Sequence, residues 1–237
     1  MKRLLATLLV LIVGIASSGL LYAQSSDHSI FQLSTLNALK QGVYDGETTF
    51  GELRKHGDFG LGTLNGLDGE MLALNGEFFQ IKADGKVHLI PDSDRTPFAV
   101  VTFFQPDMKL SLSRVSDMKE LQETLDRMLP AGDRPLAIRI DATFAYSKVR
   151  SVPRQEKPYP GLEDALKQQT EFELKNVRGT VLGFRFPTYM DGVNVAGYHF
   201  HFLTADKKAG GHLLDCSTES ADVDVALISN LTLKLLE

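Results

Sequence analysis

The sequence predicts an α+β protein: strand-rich mixed sheets with a few helices, arranged as two lobes. Three observations predict it. Apolar and polar residues alternate with period two in several runs, as in "VAGYHFHFLT" and "PLAIRIDATFAYSKVRSV". Asn-Gly and Asp-Gly pairs stand between such runs. Helical spacing is confined to three short stretches. A chain of 237 residues can bury one large core or two small ones. A boundary after residue 115 gives a strand-rich N-terminal lobe, 24–115, and a C-terminal lobe, 116–237, that carries the histidine-rich strands.

Residues 1–23 read as a secretory signal peptide. Lys2 and Arg3 precede an apolar run from Leu4 to Ala16, small residues follow, and cleavage is expected after Ala23. The alternative is a retained anchor helix, but the run is short against the roughly 20 apolar residues a span needs. The sequence thus predicts an exported protein with no stable membrane anchor once the signal is cleaved.

Along the mature chain, "STLNALKQGVY" places Leu36 and Leu39 at helical spacing with Ser34 as N-cap. "TTFGELRKHGDFGLGTLNGLDGE" is glycine-dense and lacks the Gly-Lys-Ser/Thr ending of a phosphate loop, so it reads as tight turns between short extended pieces. Asn75-Gly76 and Asp84-Gly85 predict two-residue hairpin turns in a three-stranded meander over 70–90. "TPFAVVTFF" is a buried strand. "SDMKELQETLDRML" sets Met118, Leu121, Leu125 and Met128 on one helical face after a Ser116 cap, with Pro130 and Gly132 ending the helix. The 136–152 run is a long strand, "PRQEKPYPG" a rigid connector, and "LEDALKQQ" a short helix. Four strands follow: "VRGTVLGFRFP", "VAGYHFHFLT", "GHLLDCS" and "DVDVALIS".

Composition narrows the function. A net charge of −5 gives no basic footprint for nucleic acid. Cys216 is the only cysteine, so no disulfide forms within the chain, and its setting reads as a small buried hydrophobe. Three of six histidines fall within "GYHFHFLTADKKAGGH". On a strand His199 and His201 project to one face, while Tyr198, Phe200 and Phe202 take the other. "TADKKAGG" suits a hairpin loop, and the returning strand brings His212 opposite His201 or His199. Three imidazoles then converge as in an open zinc site, with a position left for substrate or water; Mn²⁺, Fe²⁺ and Ni²⁺ suit the same donors.

Other residues are less determined by pattern. Glu70 opens the first hairpin and reads as an acid, a base, a metal neighbour or simply a solvated strand-end carboxylate. Lys148, Arg150, Arg154 and Lys157 form a basic run before the prolines. One arginine facing a metal would clamp a substrate carboxylate, and the same run also reads as surface charge.

Three blocks, "GVYDGETTFGELRKHGDFGLGTLNGLDGEM", "FAYSKVRSVPRQEKPYP" and "GVNVAGYHFHFLTADKKAGGHLLD", resemble the α-acetolactate decarboxylase family from about Ser34 to Asp215. The resemblance implies a two-lobed α/β fold, a homodimer, and a carboxy-lyase that converts 2-acetolactate to acetoin. It implies His199, His201 and His212 as zinc ligands, Glu70 and Arg150 as catalytic residues, and Thr63 with Arg150 as substrate-binding residues. In the implied mechanism zinc acts as a Lewis acid, an enediolate forms, and a carboxyl group protonates it. Family members continue into an acidic C-terminal tail whose glutamate reaches the metal; this sequence ends at "LISNLTLKLLE", and Glu237 is not equated with that glutamate. Two other readings compete. Cupin-like oxygenases also use His-x-His on a strand, but they place a glutamate before the last histidine, and none lies between His201 and His212. A non-catalytic exported protein that binds metal or a small ligand is the second.

Overall fold

The computed structural model describes residues 28–130 and 133–236. The expected signal peptide, Gly132 and Glu237 lie outside the described residues. Among those described, no helix is long and apolar enough to cross a membrane.

The described residues build two sheets. The first has the order β12-β1-β6-β2-β3-β4-β5. Its strands are β1 (Ser29–Leu33), β2 (Phe59–Thr63), β3 (Glu70–Leu74), β4 (Glu77–Ile81), β5 (Val87–Leu89), β6 (Ala99–Thr102) and β12 (Asn230–Lys234). The second has the order β10-β9-β8-β11-β7, from β7 (Met108–Leu112), β8 (Leu136–Ser151), β9 (Thr170–Phe186), β10 (Gly197–Thr204) and β11 (Gly210–Leu227). Here β10 also pairs with β11, so β8, β9, β10 and β11 close into a ring. Among the described strands only β1 and β12 run parallel. Each sheet thus takes one strand from the far side of residue 115: β7 joins the second and β12 the first.

The alternation that predicted strands explains the layers. Ala137, Leu182 and Phe184 meet Ile30, Leu61, Leu72 and Val100 between the sheets. Their neighbours Ile138, Val181, Phe200 and Phe202 face a second core with Leu121 and Leu125. Those two leucines come from α3 (Met118–Met128). A third core covers the outer face of the first sheet and includes Phe50 and Leu53 of α2 (Phe50–Leu53). The remaining α-helices among the described residues, α1 (Leu36–Lys40) and α4 (Leu162–Leu166), are one turn or so each.

The meander over 70–90 forms as β3-β4-β5. Asn75 and Gly76 both take positive φ, 53° and 80°, as a tight two-residue turn requires. The second turn differs from expectation. Only Gly85 has positive φ, and Lys82 N–H bonds Lys86 C=O, so Ala83-Asp84-Gly85 make a three-residue loop. Asp84 accepts from Lys86 N–H at 3.0 Å, which favours that form.

Other local corrections follow from capping chemistry. Thr35, not Ser34, caps α1, with Oγ1 accepting from Ala38 N–H. Asp117, not Ser116, caps α3 and accepts from Glu120 N–H, while Ser116 N–H and Oγ–H both donate to the Glu120 carboxylate. Met128 is 38% exposed, so the buried face of α3 rests on Leu121 and Leu125. The glycine-dense stretch hides α2, capped by Thr49. The two strands expected after His212 are one, β11, with irregular register between Leu213 and Ala221.

Candidate metal centre and active-site cavity

The site lies where the two sheets meet. His201 on β10 pairs directly with His212 on β11, and His199 sits two residues back on the same face as His201. The three ring centroids are 5.0–5.4 Å apart. One nitrogen from each ring lies within 4.8 Å of the others, and among the described residues this is the one cluster of three metal-type ligands. Phe200 and Phe202 are buried on the opposite face, so core packing sets the direction of the imidazoles.

The rings are prepared as ligands. The Met71 carbonyl accepts a hydrogen bond from His201 Nδ1–H at 2.8 Å, which leaves Nε2 with its lone pair free. His201 Nε2 and His199 Nδ1 are buried without a hydrogen-bond partner. Burial, followed by the Arg150 charge, brings His199 down to about 3. Burial also takes His201 and His212 well below 6.5, so all three rings are neutral at physiological pH. Neutral imidazoles with orphaned buried lone pairs are the donor set a divalent transition metal requires.

Three further side chains face this cluster. Glu70 opens β3 opposite Thr63 on β2. Its Oε2 is 3.4 Å from His201 Nε2 and its Oε1 is 3.3 Å from Arg150 Nη1. Glu70 is 7% exposed. Burial raises its carboxyl above the usual range, against the opposing pull of Arg150. Arg150 on β8 pairs with His212 on β11, which places the guanidinium beside the third ring. Thr63 Oγ–H donates to the Gly69 carbonyl at 2.7 Å, pinning the turn that presents Glu70. Gly69 holds φ at +79°, and a β-carbon there would lie 2.3 Å from the Ile81 carbonyl.

Thr63, Glu70, Arg150, His199, His201 and His212 line one cavity of about 360 Å³, whereas Lys148, Arg154 and Lys157 of the basic run do not. Two cross-sheet bonds brace it: His201 to Met71, and Ser151 Oγ–H to the Ile81 carbonyl at 2.7 Å. The cavity also has an apolar part not expected from the sequence, which includes Leu36, Leu39, Leu162, Leu166 and Val195. Its signal was present in "LNALK" and "LEDAL", whose leucines recur at helical spacing. A larger depression on the second sheet, about 600 Å³, is lined by side chains that already pair with each other, Arg139 with Asp141 and Lys109 with Asp224.

The fold and this arrangement define a class of proteins with a three-histidine group that could hold a metal ion in a small cavity, flanked by a carboxyl group and an arginine. The chain matches the family model for alpha-acetolactate decarboxylase over residues 30–237, and it belongs to that family. It is 51% identical over 211 residues to the alpha-acetolactate decarboxylase of Methylococcus capsulatus, covering 89% of this chain and 81% of that one. It is 40% identical over 206 residues to that of Bacillus subtilis strain 168, covering 87% and 81%. The acetolactate decarboxylase structure from B. subtilis subspecies spizizenii superposes with a TM-score of 0.86 at 39% identity, covering 88% of this chain and 90% of that one. A Staphylococcus aureus protein described as similar to alpha-acetolactate decarboxylase gives 0.85 at 28% identity, covering 87% and 89%.

Proposed function

We propose that the chain decarboxylates 2-acetolactate to acetoin and carbon dioxide, with Zn²⁺ held by His199, His201 and His212. As a member of its family it is a carboxy-lyase. The observation that carries the reading is the convergence of three neutral imidazoles, a buried carboxyl and a half-buried guanidinium on one cavity.

When bound, a divalent ion there supplies Lewis-acid stabilisation of negative charge developing on oxygen. The protein's own residues do the rest. Arg150 spends one N–H on Glu70 and has others free to orient the substrate carboxylate. Loss of CO₂ breaks the bond from the carboxyl carbon to the carbon bearing the hydroxyl, leaving an electron pair that requires one proton there. Glu70, whose burial favours the protonated form, delivers it. Thr63 has committed its proton to Gly69, so its oxygen is left to accept from the substrate hydroxyl. The resting enzyme is restored when Glu70 takes a proton from solvent.

The test follows carboxyl-labelled 2-acetolactate in D₂O by NMR. The expected result is labelled CO₂ together with acetoin carrying one deuterium on the carbinol carbon. Oxygen consumption with an oxidised product would contradict it and favour the oxygenase reading. Binding without turnover would favour the non-catalytic one. Export with cleavage after Ala23, and a homodimer, belong to the same proposal; intact mass of the exported protein and sedimentation test them.

A further inference from the structure

We infer that the apolar half of the cavity, built by α1 and α4, is the specificity-determining wall that sets the size of the alkyl group accepted on the substrate. The inference rests on the decarboxylase reading above and deepens it. The cavity divides by chemistry. One side holds the imidazoles, Glu70, Arg150 and Thr63. The other is built by Leu36, Leu39, Leu162, Leu166 and Val195 from α1, α4 and the segment before β10, regions that also contribute Lys40 and Asp191 to the lining. A 2-alkyl-2-hydroxy-3-keto acid has three polar groups, all with partners on the first side. Only its alkyl groups remain to face the second.

The wall is a built structure. Leu36 and Leu39 lie three residues apart on α1, Leu162 and Leu166 four apart on α4, so each pair shares a helix face. The two helices pack together. Leu36 N–H bonds the Val193 carbonyl and Asn37 N–H the Gly192 carbonyl, which ties α1 to the loop bearing Val195. Tyr159 Oη–H donates to Asp45 at 3.0 Å, joining the approach to α4 to the segment after α1. Leu36 and Leu39 are buried, whereas Leu162 and Leu166 are half-buried and border the cavity, so the α4 pair can be resized with less damage to the core.

The experiment measures kcat/KM for racemic substrates with methyl, ethyl or propyl at the 2-position. One methylene in an apolar site changes discrimination by about 10-fold or more. Leu162→Ala and Leu166→Ala should therefore raise the propyl-to-methyl ratio about 10-fold or more, and Leu162→Phe should lower it by a similar factor. The ratio cancels any general loss of activity, and the enlarged variant carries the test if a truncated one does not fold. Calorimetric binding of the reduced dihydroxy acids, which lack the ketone needed for this decarboxylation, should follow the same order. Ratios unmoved by either kind of variant, in a wild type that decarboxylates the methyl substrate, would overturn the wall assignment alone. A wild type inactive on every substrate would instead overturn the decarboxylase reading.

Discussion

Glu70 of the first sheet and Arg150 of the second meet at 3.3 Å across the junction of the two layers. Eighty residues separate them in sequence. The contact places a buried carboxyl and a half-buried guanidinium in one cavity with three imidazoles.

Glu70→Gln keeps the shape of the side chain and removes its titrating proton. General acid catalysis contributes about 10²–10⁴-fold, so kcat should fall by that order while bound metal stays constant. Turnover with elemental analysis on the same preparation checks it. An active Glu70→Gln enzyme would move the proton-donor role elsewhere.

Arg150→Ala should lower kcat/KM about 10²-fold, the loss expected for one charge-assisted contact to a carboxylate. Arg150→Lys should restore little, because an ammonium cannot bind Glu70 and a substrate carboxylate with the same planar fork. Steady-state kinetics on both variants decide this, and wild-type activity in Arg150→Ala would refute the assigned role.

Gly183→Ala should weaken metal binding without touching a ligand. A β-carbon at Gly183 would lie 1.9 Å from the His199 carbonyl oxygen, so β10 must move away from β9. Disturbing the support of a metal ligand lowers affinity about 10- to 100-fold. Competition with a chromophoric chelator measures it. Unchanged affinity would mean that the strand absorbs the methyl group without turning His199.

Cys216 gives a pH prediction. It is 1% exposed, and burial pushes its thiol up from 9.0 to about 12. The folded state therefore holds this proton where the unfolded chain has released it. The stabilisation is fully present below pH 9 and is lost as pH rises towards 12, by up to about 4 kcal/mol. Urea unfolding of wild type and Cys216→Ala between pH 8 and 11 should show a steeper decline in wild type (roughly the linkage slope of one proton). Parallel curves would contradict the burial argument.

The three-histidine cluster was legible because "YHFHF" alternates unambiguously and the polar stretch after it had to turn. The Asn75-Gly76 turn was legible for the same reason: only a few residues accept positive φ. What stayed hidden depends on partners far away. The parallel pairing of β1 with β12 joins the two ends of the described chain, and no local pattern announces it. Helix α2 is four residues long inside a glycine-rich run, too short to show a period. Glu70 and Arg150 were ambiguous from pattern alone because the burial of each comes from the other sheet. The apolar wall was invisible as a wall because it forms only when two five-residue helices pack over the same cavity.

Whether zinc on the three histidines drives decarboxylation is tested by acetoin formation from racemic 2-acetolactate by the purified protein, before chelator, after chelator, and after zinc is restored. Activity should disappear with the chelator and return with zinc in wild type, and zinc should fail to restore it in His201→Ala. Full activity in metal-stripped protein, or in His201→Ala, would show that the three histidines do not hold the group on which decarboxylation depends.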